Sequence, residues 1–176
     1  MSQTWNIDPS HTSLEFAVRH MMISTVRGSF KVSGGTVELD DQGKLLGVEA
    51  NIETASVSTK DAQRDGHLNS PDFFDSANHP TISFKSTNVQ ASGDHNYKVE
   101  GHLTIRGETK PVTLDVETSQ QAKDPWGNTK IAASGTTKIS RKEWGLVWNT
   151  ALETGGVLVG DEVKITLDVQ AAAPSA

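Results

Sequence analysis

The sequence has no cysteine, and this absence excludes several kinds of chemistry at once. Without thiols the chain can form no disulfide framework, no Cys-ligated zinc site and no thiol nucleophile. Its 176 residues are nevertheless enough for one domain to bury a core without such crosslinks. We therefore expect a single domain over residues 1–170, followed by a flexible C-terminal tail of small residues at 171–176.

Basic residues and long apolar runs are also scarce. The chain carries 16 Lys and Arg against 22 Asp and Glu, a formal net charge of −6, whereas a nucleic-acid-binding surface needs an excess of basic residues. No apolar stretch approaches the ~20 residues of a transmembrane helix. Residues 1–6 contain no apolar segment of a secretory signal. We therefore expect no nucleic-acid partner, no integral membrane segment and a cytoplasmic location, or a periplasmic one if a leader has been removed.

The hydrophobic fraction is 35%, which is low for a packed globular domain. A sheet with one wet face has this composition, because only alternate residues are apolar. Such alternation dominates the chain: Leu14, Phe16, Val18 and His20 share one face of a predicted strand. Similar alternation recurs, with turn-forming sequences between, in residues 26–39, 48–52, 82–84, 97–105, 112–116, 131–139 and 163–169. About eight strands in this arrangement predict an all-β sandwich or barrel.

One segment, residues 59–78, lacks the alternation and predicts a short helical excursion. The sequence Ser58–Asp61 has the form of a capping box, from which a helix can continue to about Leu68. A second helical turn is predicted to begin with Ser70 as its N-cap, since proline follows at the first helical position.

Small residues occupy unusual positions in the predicted strands. The parity of the alternation flips at Gly34-Gly35, which predicts a bulge or a sharp bend. Eight strands are the number at which a barrel interior is just filled or holds one ligand. Small side chains on the inner face leave space unless bulky partners oppose them, and alternatively they relieve crowding where strands bend. The spacing alone leaves a hollow and a filled interior equally open for the residues concerned, Gly28, Ala50, Gly101, Ala133 and Gly135.

A series of short motifs in a fixed order resembles the YceI-like family, from Trp5 to about Val169. The motifs are Trp5–His11, His20, Val26–Phe30, Arg64–Leu68, Asp72–Phe74, Pro80–Phe84, Gly101–Gly107 and Ile139–Gly145. The resemblance implies a closed, eight-stranded, antiparallel, lipocalin-like barrel with a long apolar cavity for polyisoprenoid or fatty-acyl chains, and often a homodimer. Some members are exported to the periplasm. The chain departs from the family pattern at Met21-Met22, where a Leu-Gly-like pair is expected.

The predicted ligand-binding residues are those that alternation places on the inner face. An apolar chain binds by buried area and needs few directional contacts, although an ordinary packed core would show the same pattern. The predicted set is Leu14, Phe16, Val18, His20, Phe30, Val48, Ile52, Phe84, Val99, Leu103, Ile105, Leu114, Ile131 and Ile139.

Arg141 is a further ligand-binding candidate, because it continues the register of Ile131 and Ile139. Its guanidinium could meet an anionic head group, or it could form a structural ion pair at the rim of the barrel.

The helical excursion supplies a predicted cavity mouth. Arg64, His67 and Leu68 share one helix face, and Phe73 and Phe74 would add an apolar plug. The same contacts could serve only to dock the excursion on the barrel.

The histidines suggest an alternative, a metal-dependent hydrolase that uses His11, His20, Asp65 and His67. However, no helix carries a His-Glu-x-x-His motif, and a separation of nine residues between His11 and His20 is not diagnostic of a zinc site. No Gly-x-Ser-x-Gly elbow is present, and His20 is expected to be a hydrogen-bonded core residue. The sequence therefore favours a lipid-binding protein without enzymatic activity, metal or cofactor, and it does not address a structural scaffold role.

Overall fold

The computed structural model describes residues 2–149, 152 and 158–174, and this part of the chain is built mainly from β-strands. The strands are β1 Gln3–Ile7, β2 Ser13–His20, β3 Ser24–Leu39, β4 Leu45–Ser58, β5 Thr81–Ala91, β6 Asn96–Ile105, β7 Glu108–Thr118, β8 Ala122–Lys123, β9 Thr129–Ser140 and β10 Val159–Ala172. One α-helix, α1, covers Ala62–Asn69, and two 3₁₀ turns cover Pro9–His11 and Arg141–Trp144. Within the described residues, no helix is long and apolar enough to cross a membrane.

Eight of the strands close into an antiparallel ring. The order around the ring is β10, β2, β3, β4, β5, β6, β7 and β9, and β9 pairs with β10 to complete it. Closure leaves the ring without an exposed edge. The two remaining strands lie beside it, since β1 pairs with both β3 and β10 and the two-residue β8 pairs with β9. The predicted all-β, eight-stranded, lipocalin-like barrel is therefore confirmed.

The bulge predicted at the glycine pair is present in β3. The pairing of β3 with β4 shifts register between Val32 and Gly34. Gly35 has φ +151°, and a side chain on it would collide with the backbone of Glu49 and Ala50. Only glycine fits this position, because L-residues rarely adopt that φ and there is no space for a Cβ atom.

The helical excursion is shorter than predicted, and a different residue caps it. The side chain of Asp61 is the N-cap and accepts hydrogen bonds from the backbone N–H groups of Gln63 and Arg64, both at 3.1 Å. Ser58 cannot be the cap because it is still the last residue of β4, opposite Ser29 of β3. The predicted capping box is therefore wrong, although the helix itself is present.

The second turn predicted after α1 is present and is capped by Ser70, whose hydroxyl oxygen accepts from the backbone N–H of Asp72 at 3.3 Å, but it does not continue as a regular helix. Residues 71–74 and 76–78 form consecutive hydrogen-bonded turns instead. The carbonyl oxygen of Ser70 accepts from the backbone N–H of both Phe73 and Asp75, at 3.0 and 2.9 Å, which reverses the chain within a few residues.

The C-terminal strand extends beyond the predicted domain end at residue 170. Ala171 is fully buried and pairs with Ile7 of β1 and Ile131 of β9, and β10 ends at Ala172. The first two residues of the predicted tail, 171–176, therefore belong to the barrel, because alanine is small enough to pack where three strands meet.

The two ends of the barrel are filled differently. At one end, here called the closed end, large apolar side chains from many strands pack against one another. These residues are Trp5, Ile7, Val37, Leu39, Leu45, Tyr97, Val99, Val116, Ile131, Val169 and Ala171, all with at most 7% of their surface exposed. The tyrosine hydroxyl also accepts a hydrogen bond from the backbone N–H of Leu45 at 3.3 Å. A dense core therefore occupies this half of the ring.

Candidate ligand-binding site

The other half of the barrel, here called the open end, encloses a cavity of about 250 Å³. Every strand of the ring contributes apolar side chains to its wall. Examples, in the order of the ring from β10, are Ile165, Phe16, Phe30, Ile52, Phe84, Leu103, Leu114 and Ile139. Because inward residues alternate along each strand, the wall takes one or more residues from each strand at the same depth.

Twelve of the fifteen predicted ligand-binding residues line this cavity. They are Leu14, Phe16, Val18, His20, Phe30, Ile52, Phe84, Leu103, Ile105, Leu114, Ile139 and Arg141. The structure places the other three elsewhere: Val99 is fully buried at the closed end, Ile131 lies opposite Ala171, and the half-buried Val48 pairs with Val37. Alternation identifies the inner face of a strand but not the depth of a residue along the barrel, so these three assignments to the cavity are corrected.

The cavity wall includes residues that the sequence analysis did not select. Val163, Ile165 and Leu167 of β10 show the same period-two pattern, and that signal could have identified them. Leu146 and Trp148 also line the cavity, but they lie outside regular structure after the second 3₁₀ turn, where no periodic signal exists.

The inward glycines do not create the hollow space. A Cβ atom on Gly101 would lie 2.5 Å from the ring of Phe84, and one on Gly28 would overlap the ring of Phe16. The outer end of each aromatic ring therefore covers a glycine on the neighbouring strand, an arrangement known to support strand glycines. Of the five small residues considered from the sequence, Ala50 alone lines the cavity. Because Phe16 and Phe84 lie along the wall, they leave the centre of the open end unfilled.

A hydrogen-bonded network holds α1 against the end of β4. The side chain of Arg64 donates from Nε to Oγ1 of Thr59 at 2.7 Å and from Nη2 to its carbonyl oxygen at 3.0 Å. Oδ1 of Asp65 accepts from the backbone N–H of Thr59 at 2.8 Å and from its hydroxyl at 2.6 Å. One buried threonine thus fixes both charged residues of the first helical turns.

Aromatic side chains cover part of the open end. The His67 ring contacts the rings of Phe73 and Trp148 edge-on, with centroids 5.1 and 4.6 Å apart. Phe74 packs edge-on against Phe30 of the wall, at 5.2 Å. All five predicted mouth residues, Arg64, His67, Leu68, Phe73 and Phe74, line the cavity, and the aromatic members form a lid continuous with its wall.

Arg141 is 3% exposed and lies at the start of the second 3₁₀ turn. Its guanidinium donates to the carbonyl oxygens of Gly160, Trp148 and Val159, at 2.8, 3.0 and 3.3 Å, and to that of Leu146. Burial lowers the pKa of this guanidinium, and the charge of Asp161 partly opposes that effect. In the described residues it forms no direct ion pair, so the rim ion pair considered from the sequence is replaced by bonds to backbone carbonyls. These bonds occupy most of its N–H groups.

The histidines and carboxylates of the hydrolase alternative are not assembled into one site. His11 is exposed before β2 and lies 2.8 Å from Asp8, whereas His20 ends that strand in the cavity wall. An eight-residue strand spans roughly 25 Å, so the two histidines cannot share a metal ion. Asp65 is bound to Thr59, as described above. Among residues 2–149, 152 and 158–174, no group of three or more His, Cys, Asp or Glu is placed to hold a metal.

The environment of His20 also differs from the expected one. The residue is only half-buried, and its side chain lies in the cavity wall rather than in the packed core. Its carbonyl oxygen accepts from the Ser24 hydroxyl at 3.3 Å, but in the described part of the chain its ring forms no hydrogen bond. The predicted hydrogen-bonded core histidine is therefore wrong.

Comparison with known proteins identifies relatives over nearly the whole chain. The model of the YceI-like domain matches residues 5–171. A UPF0312 protein of Staphylococcus aureus strain USA300 is 40% identical over 164 residues, which cover 91% of this chain and 92% of the relative. The crystal structure of a Campylobacter jejuni YceI protein has a TM-score of 0.76 and 29% identity, covering 89% and 90% of the two chains. A polyisoprenoid-binding domain from Saccharophagus degradans, implicated in plant cell wall breakdown, has a TM-score of 0.67 and 14% identity, covering 98% and 99%.

Proposed function

Because this chain belongs to the YceI-like family, we propose that it binds a long isoprenoid or fatty-acyl chain in the cavity of its barrel. The proposal rests mainly on the cavity in the open end of the barrel, because every strand of the ring contributes apolar side chains to its wall. The polyisoprenoid-binding domain with a similar fold supports the same class of ligand.

The binding energy of such a ligand comes from apolar burial. Each buried CH₂ group contributes about 0.8 kcal/mol, so one isoprene unit contributes roughly 3–4 kcal/mol before the chain is ordered. A few units are enough for micromolar binding after the entropic cost of association is subtracted. Arg64 and Arg141 of the wall add little, because they direct their hydrogen bonds to backbone and threonine oxygens. The polar end of the ligand is therefore expected at the mouth rather than inside.

We further propose that the protein stores, shields or carries this ligand rather than transforms it. The dispersed positions of His11, His20, Asp65 and His67 support this view over the hydrolase alternative. The homodimer and the cytoplasmic location expected from the sequence stay predictions.

Organic extraction of the purified protein followed by mass spectrometry tests the proposal. We expect an isoprenoid or fatty-acyl compound in the extract, and micromolar binding of the fluorescent fatty acid cis-parinaric acid after the protein has been delipidated. A protein that comes out empty and binds neither this probe nor farnesol at micromolar concentration would contradict the proposal. Stoichiometric zinc in the same preparation would favour the hydrolase instead.

A further inference from the structure

The turn that joins β2 to β3 carries three consecutive exposed apolar residues. The exposed fractions of Met21, Met22 and Ile23 are 44%, 59% and 77%. This turn, here called the apolar tip, adjoins the open end of the barrel. The residue before it, His20, lines the cavity, and the backbone N–H of Met21 donates to the carbonyl oxygen of Leu158, which also lines the cavity, at 2.7 Å.

The backbone conformation of the apolar tip does not explain why methionine occurs there. Met21 has φ +53° and Met22 has φ +60°, and the backbone N–H of Ile23 closes the turn on the carbonyl oxygen of His20 at 3.2 Å. Turns with positive φ at both central residues strongly favour Asn and Gly, because other side chains are strained in that region. Two methionines therefore occupy positions where the fold alone favours small polar residues.

A cation lies at the base of the tip, and a further exposed apolar residue adjoins the wall of the cavity. The guanidinium of Arg19 donates to the carbonyl oxygen of Met22 at 3.1 Å and to the hydroxyl of Thr25 at 3.2 Å, so its charge lies at the base of the tip. Val147 is 59% exposed and lies in the chain between two cavity-wall residues, Leu146 and Trp148. An apolar projection with an arginine behind it matches the interface of a phospholipid bilayer, where acyl chains lie beneath phosphate groups.

We propose that the apolar tip docks the open end of the barrel onto a lipid bilayer, so that the ligand passes between membrane and cavity. This inference rests on the proposed function, since an isoprenoid or acyl chain is poorly soluble in water and resides in membranes. Methionine side chains are flexible and suit an irregular acyl-chain surface. The net charge of −6 opposes long-range attraction to anionic lipid, so the tip itself provides most of the membrane affinity.

The double substitution Met21→Asn with Met22→Gly separates docking from folding. Asn and Gly are the residues that this turn conformation favours, so the variant is expected to unfold at the same temperature as the wild type or higher. In flotation assays with phosphatidylcholine vesicles containing some phosphatidylglycerol, we expect its association to weaken at least tenfold. This factor corresponds to the loss of roughly two inserted methylene groups. Leu46→Ser is the matched control, because Leu46 is 46% exposed but is the second residue of β4, next to Leu45 of the closed end, and its association is expected to be unchanged.

Two routes of ligand delivery distinguish this inference from the proposed function. With cis-parinaric acid added from ethanol, the double variant is expected to bind as tightly as the wild type. With the same probe preloaded in vesicles, it is expected to take the probe up at least tenfold more slowly. Wild-type protein that binds no probe by either route contradicts the proposed function, whereas flotation still tests docking. Unchanged flotation of the double variant overturns the docking proposal. If the variant with unchanged flotation also loses dimers in sedimentation velocity, the apolar tip is an interface between two copies of the chain instead.

Discussion

At Gly28 and Gly101, the space that a side chain would take is filled by an aromatic ring from a neighbouring strand. The Phe16 ring lies over Gly28 and the Phe84 ring over Gly101, so both glycines stabilise the wall of the cavity without lining it. From the sequence, a small residue on an inner face indicates space or a bend equally well. Whether a glycine leaves open space depends on whether an aromatic side chain of the adjacent strand covers it. The register between the two strands determines whether such a side chain is in reach.

The environment of Gly101 predicts a loss of stability on the smallest possible substitution. In Gly101→Ala the new methyl group would lie 2.5 Å from Phe84 and 2.6 Å from the carbonyl oxygen of Lys85, so we expect unfolding to become easier by about 1–3 kcal/mol. Gly135→Ala is the matched control, because its nearest neighbour would be a Val116 methyl group at 3.5 Å, an ordinary contact. Urea denaturation of both variants measures the difference. Equal effects at the two sites would contradict the stacked arrangement.

Asp8 predicts a pH dependence of stability. Hydrogen bonds from Ser10 and then His11 lower the pKa of Asp8 from an ordinary 3.8 to about 2. A carboxyl group whose pKa is lower in the folded state contributes stability above its unfolded pKa, and this contribution is lost as the pH falls through the folded value. We therefore expect the wild type to lose this contribution between about pH 4 and pH 2. In Asp8→Asn that component of the acid dependence should be absent, as measured by thermal unfolding across this range. The same acid dependence in both proteins would show that Asp8 has no part in it.

At the scale of single elements, the sequence predicted strands better than the helical excursion. Period-two alternation located the eight strands of the ring, though not β1 or β8, because burial of one face leaves the same signal at every second residue. The excursion carries no such repetition, and Ser58 and Asp61 are both good N-cap residues. The end of β4 decided between them, since Ser58 is paired with Ser29. Alternation likewise placed Val99 and Leu103 on one face of β6, but it could not reveal that one lies in the core and the other in the cavity wall.

The network around Thr59 predicts that α1 controls ligand exchange. Thr59→Val preserves the shape of the side chain but removes the hydroxyl that contacts Arg64 and Asp65. We expect faster amide hydrogen exchange in residues 62–69 and a several-fold faster release of cis-parinaric acid, because α1 covers part of the open end.

Thr54→Val, in the strand that ends just before Thr59, is the control for this substitution. Thr54 is 1% exposed, and its hydroxyl has no hydrogen-bond partner in the part of the chain that the structure describes. Removing a buried hydroxyl of this kind is expected to leave stability unchanged or to raise it by about 1 kcal/mol. Unaltered ligand release in Thr59→Val, or equal acceleration in Thr54→Val, would contradict a role of the Thr59 network in closing the open end.

At the scale of the whole molecule, the barrel combines a packed half and a hollow half on the same eight strands. The closed end contains the tryptophan, tyrosine and leucine side chains of the dense core, and the open end contains the cavity, the lid and the apolar tip. This division allows the fold to be stable without ligand, because the packed half provides the buried area. The family resemblance predicted a cavity but not its extent, which depends on how far the core fills the ring.

The same strand, β10, crosses both halves and therefore allows a matched test of the division. Val163 lines the cavity and Val169 is 5% exposed in the packed half, and both lie on the inner face six residues apart. Val163→Phe places a ring in open space, so we expect the melting temperature of the ligand-free protein to stay within a few degrees. The added ring should occupy part of the cavity of about 250 Å³ and weaken binding of cis-parinaric acid at least tenfold. Val169→Phe overfills a dense core, so it should cost about 1–3 kcal/mol of stability with binding largely retained in the folded fraction. Calorimetry and fluorescence titration of both variants measure the two effects, and the reverse outcome would show that the ligand occupies the closed end.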